Sequence, residues 1–293
     1  MPGEKVEGLV VKTYGGFYYV QDHQGNNYAC RLRGKIKGSV LAGDHAVITV
    51  LDRQEGILEQ VLPRENELYR PRVANVSLLI IVMSVSHPVP SLILLDRLLF
   101  MAAYHRVQPC IVLNKCDLPD SETAEKLDGY YARAGFQLVK TSAATGEGME
   151  KLREIIAGNV TVLAGPSGTG KSSLLNHLTG ADMKTQEVSR KISRGRHTTR
   201  HVELFPLLSG GWMADAPGFS VIDLPSIESR ELAGYWPDFS VFMDRCRFDN
   251  CLHYREQECG IKEACLEGRI ADFRYQNYVT ILEEVRQNER CYR

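Results

Sequence analysis

Residues Gly165 to Ser172 read Gly-Pro-Ser-Gly-Thr-Gly-Lys-Ser, the spacing G-x-x-x-x-G-K-[ST]. They stand between the apolar run Thr161–Leu163 and a stretch that begins Ser173-Leu174-Leu175-Asn176. Strand, glycine loop and helix in that order make a phosphate-binding loop. The glycines let the backbone wrap a polyphosphate, while the loop amides and the helix N-terminus present positive potential to it. In such a loop Lys171 reaches the β and γ phosphates, Ser172 is placed for Mg²⁺, and Gly165, Pro166, Ser167, Gly168, Thr169, Gly170 and Ser173 line the nucleotide. At average glycine usage a chance match is expected in about 1 in 100 chains of this length. The loop therefore commits the middle of the chain to an α/β fold.

The surrounding pattern agrees. Strands are expected at Val76–Val85, Cys110–Leu113, Gln137–Thr141 and Val160–Leu163, with helices near Leu92–Tyr104, Ser121–Ala134 and Met149–Ile156. Before this region, short β-type runs at Gly8–Thr13, Phe17–Gln21, Tyr28–Leu32, His45–Leu51 and Ile57–Leu62 are separated by turn signals such as Gly15-Gly16 and Gly43-Asp44. Five strands in about 60 residues predict a small β-barrel, an OB-fold. Three units follow: residues 1–66, a barrel; 67–222, an α/β domain; and 223–293, a smaller helical unit.

Asn114-Lys115-Cys116-Asp117 follows a strand and reads N-K-x-D, a guanine box. The Asp117 carboxylate can accept from guanine N1–H and the exocyclic amine. Adenine presents an acceptor at N1 and would leave the carboxylate unsatisfied, which is costly. Asn114 can bridge base and loop, the Lys115 stem can lie across the ring, and Ser142-Ala143 after the next strand can offer a backbone N–H to guanine O6. Asp215-Ala216-Pro217-Gly218 fits D-x-x-G, in which Asp215 binds Mg²⁺ through water and the Gly218 amide senses the γ-phosphate. Between the two phosphate elements lies Arg194-Gly195-Arg196-His197-Thr198-Thr199-Arg200, where Thr198 or Thr199 can close on Mg²⁺ and the γ-phosphate.

Ordinary small GTPases place N-K-x-D and Ser-Ala after D-x-x-G; here both precede the phosphate loop, so the domain is circularly permuted. Its new ends fall beside the nucleotide-sensing segments, where an attached unit could read or alter the γ-phosphate state.

Farther on, Cys246-x₄-Cys251-x-His253-x₅-Cys259 supplies three thiols and an imidazole, enough for one closed, structural Cys₃His zinc site, with Cys265 an available substitute. No export signal is legible in the sequence, so a reducing compartment and free or metal-bound thiols are expected for the eight cysteines. The longest apolar run, Val76–Val85, is about half of a membrane span, and a cytoplasmic protein without membrane contact is expected. Composition is globular, 44% apolar and 24% charged, and net charge is −1, so any polyanion must meet a local basic patch. Arg31, Arg33, Lys35 and Lys37, with Tyr14, Phe17, Tyr18, Tyr19 and Tyr28, make such a patch on the barrel, suited to phosphate contact and base stacking. Charge differs along the chain: residues 223–293 carry 10 positive and 14 negative groups against 17 and 14 in 67–222.

Together these features resemble the circularly permuted, ribosome small-subunit-dependent GTPases of the RsgA (YjeQ) type. The resemblance spans nearly the whole chain. It rests on the OB-like start, Asn114–Asp117, Ser142-Ala143, Gly165–Ser172, Gly195–Thr199, Asp215–Gly218 and the cysteine cluster. It implies an OB domain, a permuted GTPase domain and a zinc-binding helical domain. It also implies hydrolysis of GTP to GDP with Mg²⁺, stimulated by the 30S subunit and its 16S rRNA during late subunit maturation, by a monomer. Phe219 follows Gly218 where Ras-like enzymes soon place a water-orienting Gln. His197 is the nearest candidate for that role and falls where the family is thought to place such a histidine; Arg190, Lys191, Arg194, Arg196 and Arg200 flank it. Gly168 stands where potassium-activated relatives usually carry Asn, so no strong K⁺ dependence is expected. An alternative is a GTP or guanosine tetraphosphate sensor that binds RNA and barely hydrolyses, a reading favoured by Phe219 and opposed by Ser172, Thr198 or Thr199, Asp215 and His197.

Overall fold

In a computed structural model of the chain, residues 3–34, 38–69, 71–180, 202–214 and 224–291 are described. The first five strands are β1 (Lys5–Tyr14), β2 (Phe17–Asp22), β3 (Asn27–Leu32), β4 (His45–Val50) and β5 (Glu55–Val61). They close in the order β1-β2-β3-β5-β4, with β3 and β5 parallel and β4 returning to β1. This is the partly Greek-key closure of an OB-fold. Alternation along the strands sends Val10, Val20, Cys30, Ala46, Ile48 and Leu58 inward, each fully buried. Tyr28 also turns in, with its hydroxyl donating to Asp22 at 3.2 Å, so it belongs to the barrel core rather than to the aromatic surface expected from sequence.

A two-stranded ribbon not foreseen from sequence, β6 (Glu67–Tyr69) and β7 (Arg72–Ala74), links the barrel to the central sheet. That sheet contains β8 (Leu78–Ser84), β9 (Gln108–Asn114), β10 (Leu138–Thr141), β11 (Val160–Ala164), β12 (Leu204–Pro206) and β13 (Trp212–Ala214) in the order β10-β9-β8-β11-β13-β12. All pairings are parallel except β12 with β13. The helices are α1 (Leu92–Tyr104), α2 (Glu122–Tyr131), α3 (Met149–Ile156) and α4 (Lys171–Thr179). Ser91 and Ser121 cap α1 and α2 by accepting from Leu94 N and Ala124 N.

Strand β8 is buried at every residue, as the continuous run Leu-Leu-Ile-Ile-Val-Met requires of a strand covered on both faces. Leu79, Ile81 and Met83 pack with Leu95, Leu98 and Leu127 of α1 and α2, whereas Leu78, Ile80 and Val82 pack with Leu152, Leu174 and Leu178 of α3 and α4. Because β8, β9, β10, β11 and β13 run parallel, the loops after β9, β10 and β11 leave the sheet at one edge. Ligands of open α/β sheets bind at that edge.

The C-terminal region contains a 3₁₀ segment (Ser229–Tyr235) and helices α5 (Pro237–Met243), α6 (Gly260–Leu266) and α7 (Asp272–Cys291). Tyr278, Ile281, Leu282 and Val285 of α7, at helical spacing, form a core with Leu232, Trp236, Phe239 and Ile261. This core is shared with the sheet domain: Phe100 of α1 stacks on Trp236, ring centroids 5.6 Å apart. Phe273 instead crosses to the α2 tyrosines, 5.4 Å from Tyr130 and 6.2 Å from Tyr131. Among the described residues no helix is long and apolar enough to cross a membrane.

Candidate nucleotide site and metal centre

The phosphate loop spans β11 to α4. Gly165 has φ +130°, and a Cβ there would lie 2.2 Å from the Val82 carbonyl oxygen; Gly170 has φ +95°, and its Cβ would lie 2.2 Å from Asn114 Nδ2. Glycine is thus required at both ends, by backbone angle and by space. Thr169 is buried and donates from Oγ1 to the Pro166 carbonyl at 3.0 Å. Lys171 folds back into the loop, its Nζ donating to the carbonyls of Gly165 at 2.8 Å and Pro166 at 2.6 Å. Burial pulls its pKa below the usual lysine value, a cost that an incoming polyphosphate would offset. Ser167, Gly168, Ser172 and Ser173 are exposed.

The base-side loops close around Asn114, which is buried at the end of β9. Its Nδ2 donates to the Thr169 carbonyl at 2.8 Å, and its Oδ1 accepts from Thr141 Oγ1 at 3.1 Å and from Ala143 N at 3.2 Å. The Ala143 amide, expected from sequence to meet guanine O6, is thus already engaged by Asn114. Asp117 is exposed and accepts from Ser142 Oγ at 2.6 Å. Ser142 Oγ also accepts from the amides of Ala144 and Thr145. Lys115 adopts φ +67° and its Nζ donates to the His87 carbonyl. One residue that sequence reasoning passed over joins these loops to the phosphate helix: His177 Nε2 lies 2.8 Å from the Ala143 carbonyl.

Gly195, His197, Thr198, Thr199, Asp215, Gly218 and Phe219, with Arg190, Lys191, Arg194, Arg196 and Arg200, lie outside the described residues. Strand β13 ends at Ala214, paired in parallel with Val162 of β11, and so finishes at the edge where the nucleotide loops gather.

In the C-terminal region the ligand atoms of Cys246, Cys251, His253 and Cys259 all lie within 4.8 Å of one another. His253 Nδ1 is 3.4 Å from both the Cys246 and Cys259 sulfurs, which are 4.0 Å apart. Tetrahedral Zn²⁺ with Zn–S of about 2.3 Å and Zn–N of about 2.0 Å demands edges of roughly 3.5 to 3.8 Å. The donors present fit such an ion. His253 reaches its position with φ +55°, and Cys265 is not among the four. Burial pushes the Cys251 thiol up to about 12 and pulls His253 down; a bound cation would reverse the first by stabilising thiolate. Glu256 braces the loop, accepting from the amides of Leu252, Tyr254 and Arg255.

On the barrel, the Arg31 guanidinium sits 4.8 Å from the Phe17 ring centroid, and Lys12 Nζ lies 5.9 Å from that of Tyr19 and 6.0 Å from that of Tyr14. Arg33 is paired with Glu59 at 2.8 Å, which removes part of the positive charge expected there; Lys35 and Lys37 lie outside the described residues.

Comparison with known proteins agrees with this geometry. The family described as RsgA GTPase matches residues 61–225, and the RsgA N-terminal domain matches residues 7–58. The chain belongs to the RsgA GTPase family. It is a GTP-hydrolysing enzyme of that family, with a circularly permuted GTPase domain behind an OB-type barrel. A relative from Carboxydothermus hydrogenoformans, named small ribosomal subunit biogenesis GTPase RsgA, is 46% identical and covers 97% of this chain and 99% of its own. The protein of that name from Moorella thermoacetica is 44% identical, covering 98% and 100%. Among solved structures, YjeQ from Thermotoga maritima superposes with TM-score 0.83 at 35% identity, covering 96% of this chain and 99% of its own. YloQ, described as a circularly permuted GTPase, gives 0.82 at 34%, covering 97% and 96%.

Proposed function

We infer that this enzyme hydrolyses GTP to GDP and phosphate during late maturation of the small ribosomal subunit, stimulated by the 30S particle and its 16S rRNA. The observation that carries the nucleotide part is the single side chain of Asn114 bonded at once to Thr169 of the phosphate loop and to Thr141 and Ala143 of the base loops. One residue so placed fixes the spacing between a polyphosphate and a purine. The ribosomal part rests on the relatives' names. Asp117 reads guanine; the loop from Gly165 to Ser173 with Lys171 takes the phosphates; Ser172 and Asp215 hold Mg²⁺, with Thr198 or Thr199; and the Gly218 amide meets the γ-phosphate. When held there, Mg²⁺ would supply neutralisation of charge developing on the phosphoryl oxygens.

His197 orients the attacking water, in place of the Gln that Phe219 displaces. Zn²⁺ is held by Cys246, Cys251, His253 and Cys259 and is structural, because four protein ligands leave no open position. The units divide at residues 66/67 and 222/223. The protein acts as a cytoplasmic monomer, with the Arg31, Phe17, Lys12 and Tyr19 face of the barrel on RNA. Phe219 favours a second reading, a weakly hydrolysing GTP or guanosine tetraphosphate sensor.

Co-sedimentation with purified subunits in a non-hydrolysable GTP analogue tests the partner: retention on 30S and not on 50S is expected, and equal retention on both contradicts it. A His197→Ala variant that binds GTP and 30S normally yet keeps its full stimulated rate removes the role assigned to that histidine.

A further inference from the structure

Ala143 is held at both of its backbone polar groups. Its amide donates to Asn114 Oδ1 at 3.2 Å, and its carbonyl lies 2.8 Å from His177 Nε2. A carbonyl only accepts, so the imidazole must carry a proton on Nε2. His177 lies on α4, six residues beyond Lys171, and its neighbours Leu174 and Leu178 anchor that helix in the core beneath the sheet. The helix that begins at the phosphate loop thus reaches back to the base-side loop by a route independent of Asn114. Apart from the bond of Ser142 Oγ to Asp117 at 2.6 Å, the other bonds of that loop are internal or come from the adjoining turn: Ser142 N to Glu147 O at 3.0 Å, Gly146 N to Ser142 O at 2.8 Å, and Ser142 Oγ from the amides of Ala144 and Thr145. Among the described residues, His177 is what ties the Ala143 carbonyl to the phosphate helix.

We propose that His177 is a positioning residue for guanine recognition, fixing Ala143 so that its amide, shared with Asn114, faces O6 of the base. The inference rests on the guanine reading of Asn114 and Asp117. His177 does not touch phosphate or Mg²⁺ in this scheme, so its loss falls on nucleotide affinity and not on the hydrolytic step. The contribution of one hydrogen bond corresponds to a roughly fivefold change in affinity.

The test compares the wild-type protein with His177→Ala and His177→Gln, whose amide can still donate. GDP, ADP and 2-aminopurine riboside diphosphate, which lacks O6, are the ligands. Wild type is expected to prefer GDP strongly over ADP; absence of that preference would refute the guanine reading itself, whatever the variants do. Given that preference, His177→Ala is expected to bind GDP and GTP about fivefold more weakly, with KM raised and kcat at saturation retained. The ligand without O6 should bind wild type and His177→Ala alike, and His177→Gln should recover much of the loss. Unchanged GDP affinity, an equal loss for both purines, or a loss confined to kcat would each overturn the proposal.

Discussion

The central sheet carries an appendage on either side, and the two joints are built from different chemistry. At the C-terminal joint Arg274 of α7 is 1% exposed and its Nη1 meets Asp96 of α1, itself 0% exposed, at 2.5 Å. The same guanidinium grips Asp238 of α5 through Nε at 2.9 Å and Nη2 at 2.8 Å. Tyr131 and Asn277 also donate to Asp96, and Tyr130 donates to Asp238. The Arg274 guanidinium centre lies 5.3 to 5.5 Å from the rings of Trp236, Tyr131 and Phe136. Burial works against the charge on Arg274, but the two carboxylates outweigh it and hold the guanidinium protonated.

The barrel joint has an apolar part, where Leu9 and Ala42 of the barrel join the same core as Leu68, Val73 and Leu204, but its polar ties are partly wet. Lys12 of β1 bridges to Glu203 beside β12 at 3.3 Å, with the two side chains 37% and 28% exposed, and the same two residues form an isolated β-bridge. Arg64 joins Asp44 of the barrel to Glu67 of the ribbon, and Ala74 N donates to the Ala42 carbonyl. Both appendages share apolar core with the nucleotide domain, and the contrast lies in their ionic ties: those of the C-terminal unit are buried, so that unit stands or falls with the domain. The barrel is docked by contacts of which several can be exchanged with water. It is also the barrel that touches the strand following the segment assigned to γ-phosphate sensing, where weak contacts suit a part that must respond.

Four perturbations break or sharpen this contrast. Stripping the metal with a chelator, or substituting Cys251→Ser, is expected to be the most damaging, since structural zinc contributes on the order of 10 kcal/mol to small domains. Elemental analysis should return one zinc per chain, and loss of it should lower the melting temperature of α1 together with α7. Retention of the native C-terminal fold without metal would refute the structural role. Next, Arg274→Ala leaves two buried carboxylates without their partner, and a loss of about 3 to 5 kcal/mol is expected in urea unfolding. A loss below about 1 kcal/mol would show that the joint is open to water.

Lys12→Ala, by contrast, should cost about 0.2 to 1 kcal/mol, and the effect should vanish in high salt. The smallest effect is one of pH. Burial pushes the Glu67 carboxyl upward, but Arg72 and Arg64 outweigh it and hold its pKa below the ordinary 4.5. A carboxylate with a lowered folded pKa stabilises above the unfolded value and loses that contribution as pH falls through the folded one. The barrel joint should therefore weaken below about pH 4.5, and Glu67→Gln should flatten the slope of stability against pH in that range only.

Much of the fold was legible because the signals were strong and local. The unbroken apolar run at β8 could only be a strand buried on two faces, and α1 and α3 were bounded by their spacing of apolar residues. Strands β6 and β7 escaped notice because three residues carry no periodicity. Arg274 and Asp96 carry no sequence signal that pairs them; only the packing of α1, α2, α5 and α7 brings them into one buried cluster. In the site, the phosphate loop and N-K-x-D announced themselves by residue type and spacing. His177 had no such signal, since its partner is a backbone carbonyl that any residue at position 143 would supply. Tyr28 was misplaced because an aromatic in a half-buried strand faces core or solvent according to register, which sequence alone left open.

The most direct test of the account is steady-state GTP hydrolysis by the purified protein, alone, with 30S subunits and with 50S subunits. A slow basal rate raised by orders of magnitude by 30S alone is the predicted result. GTP binding of normal tightness with no acceleration by 30S would contradict it and give the sensor reading first place.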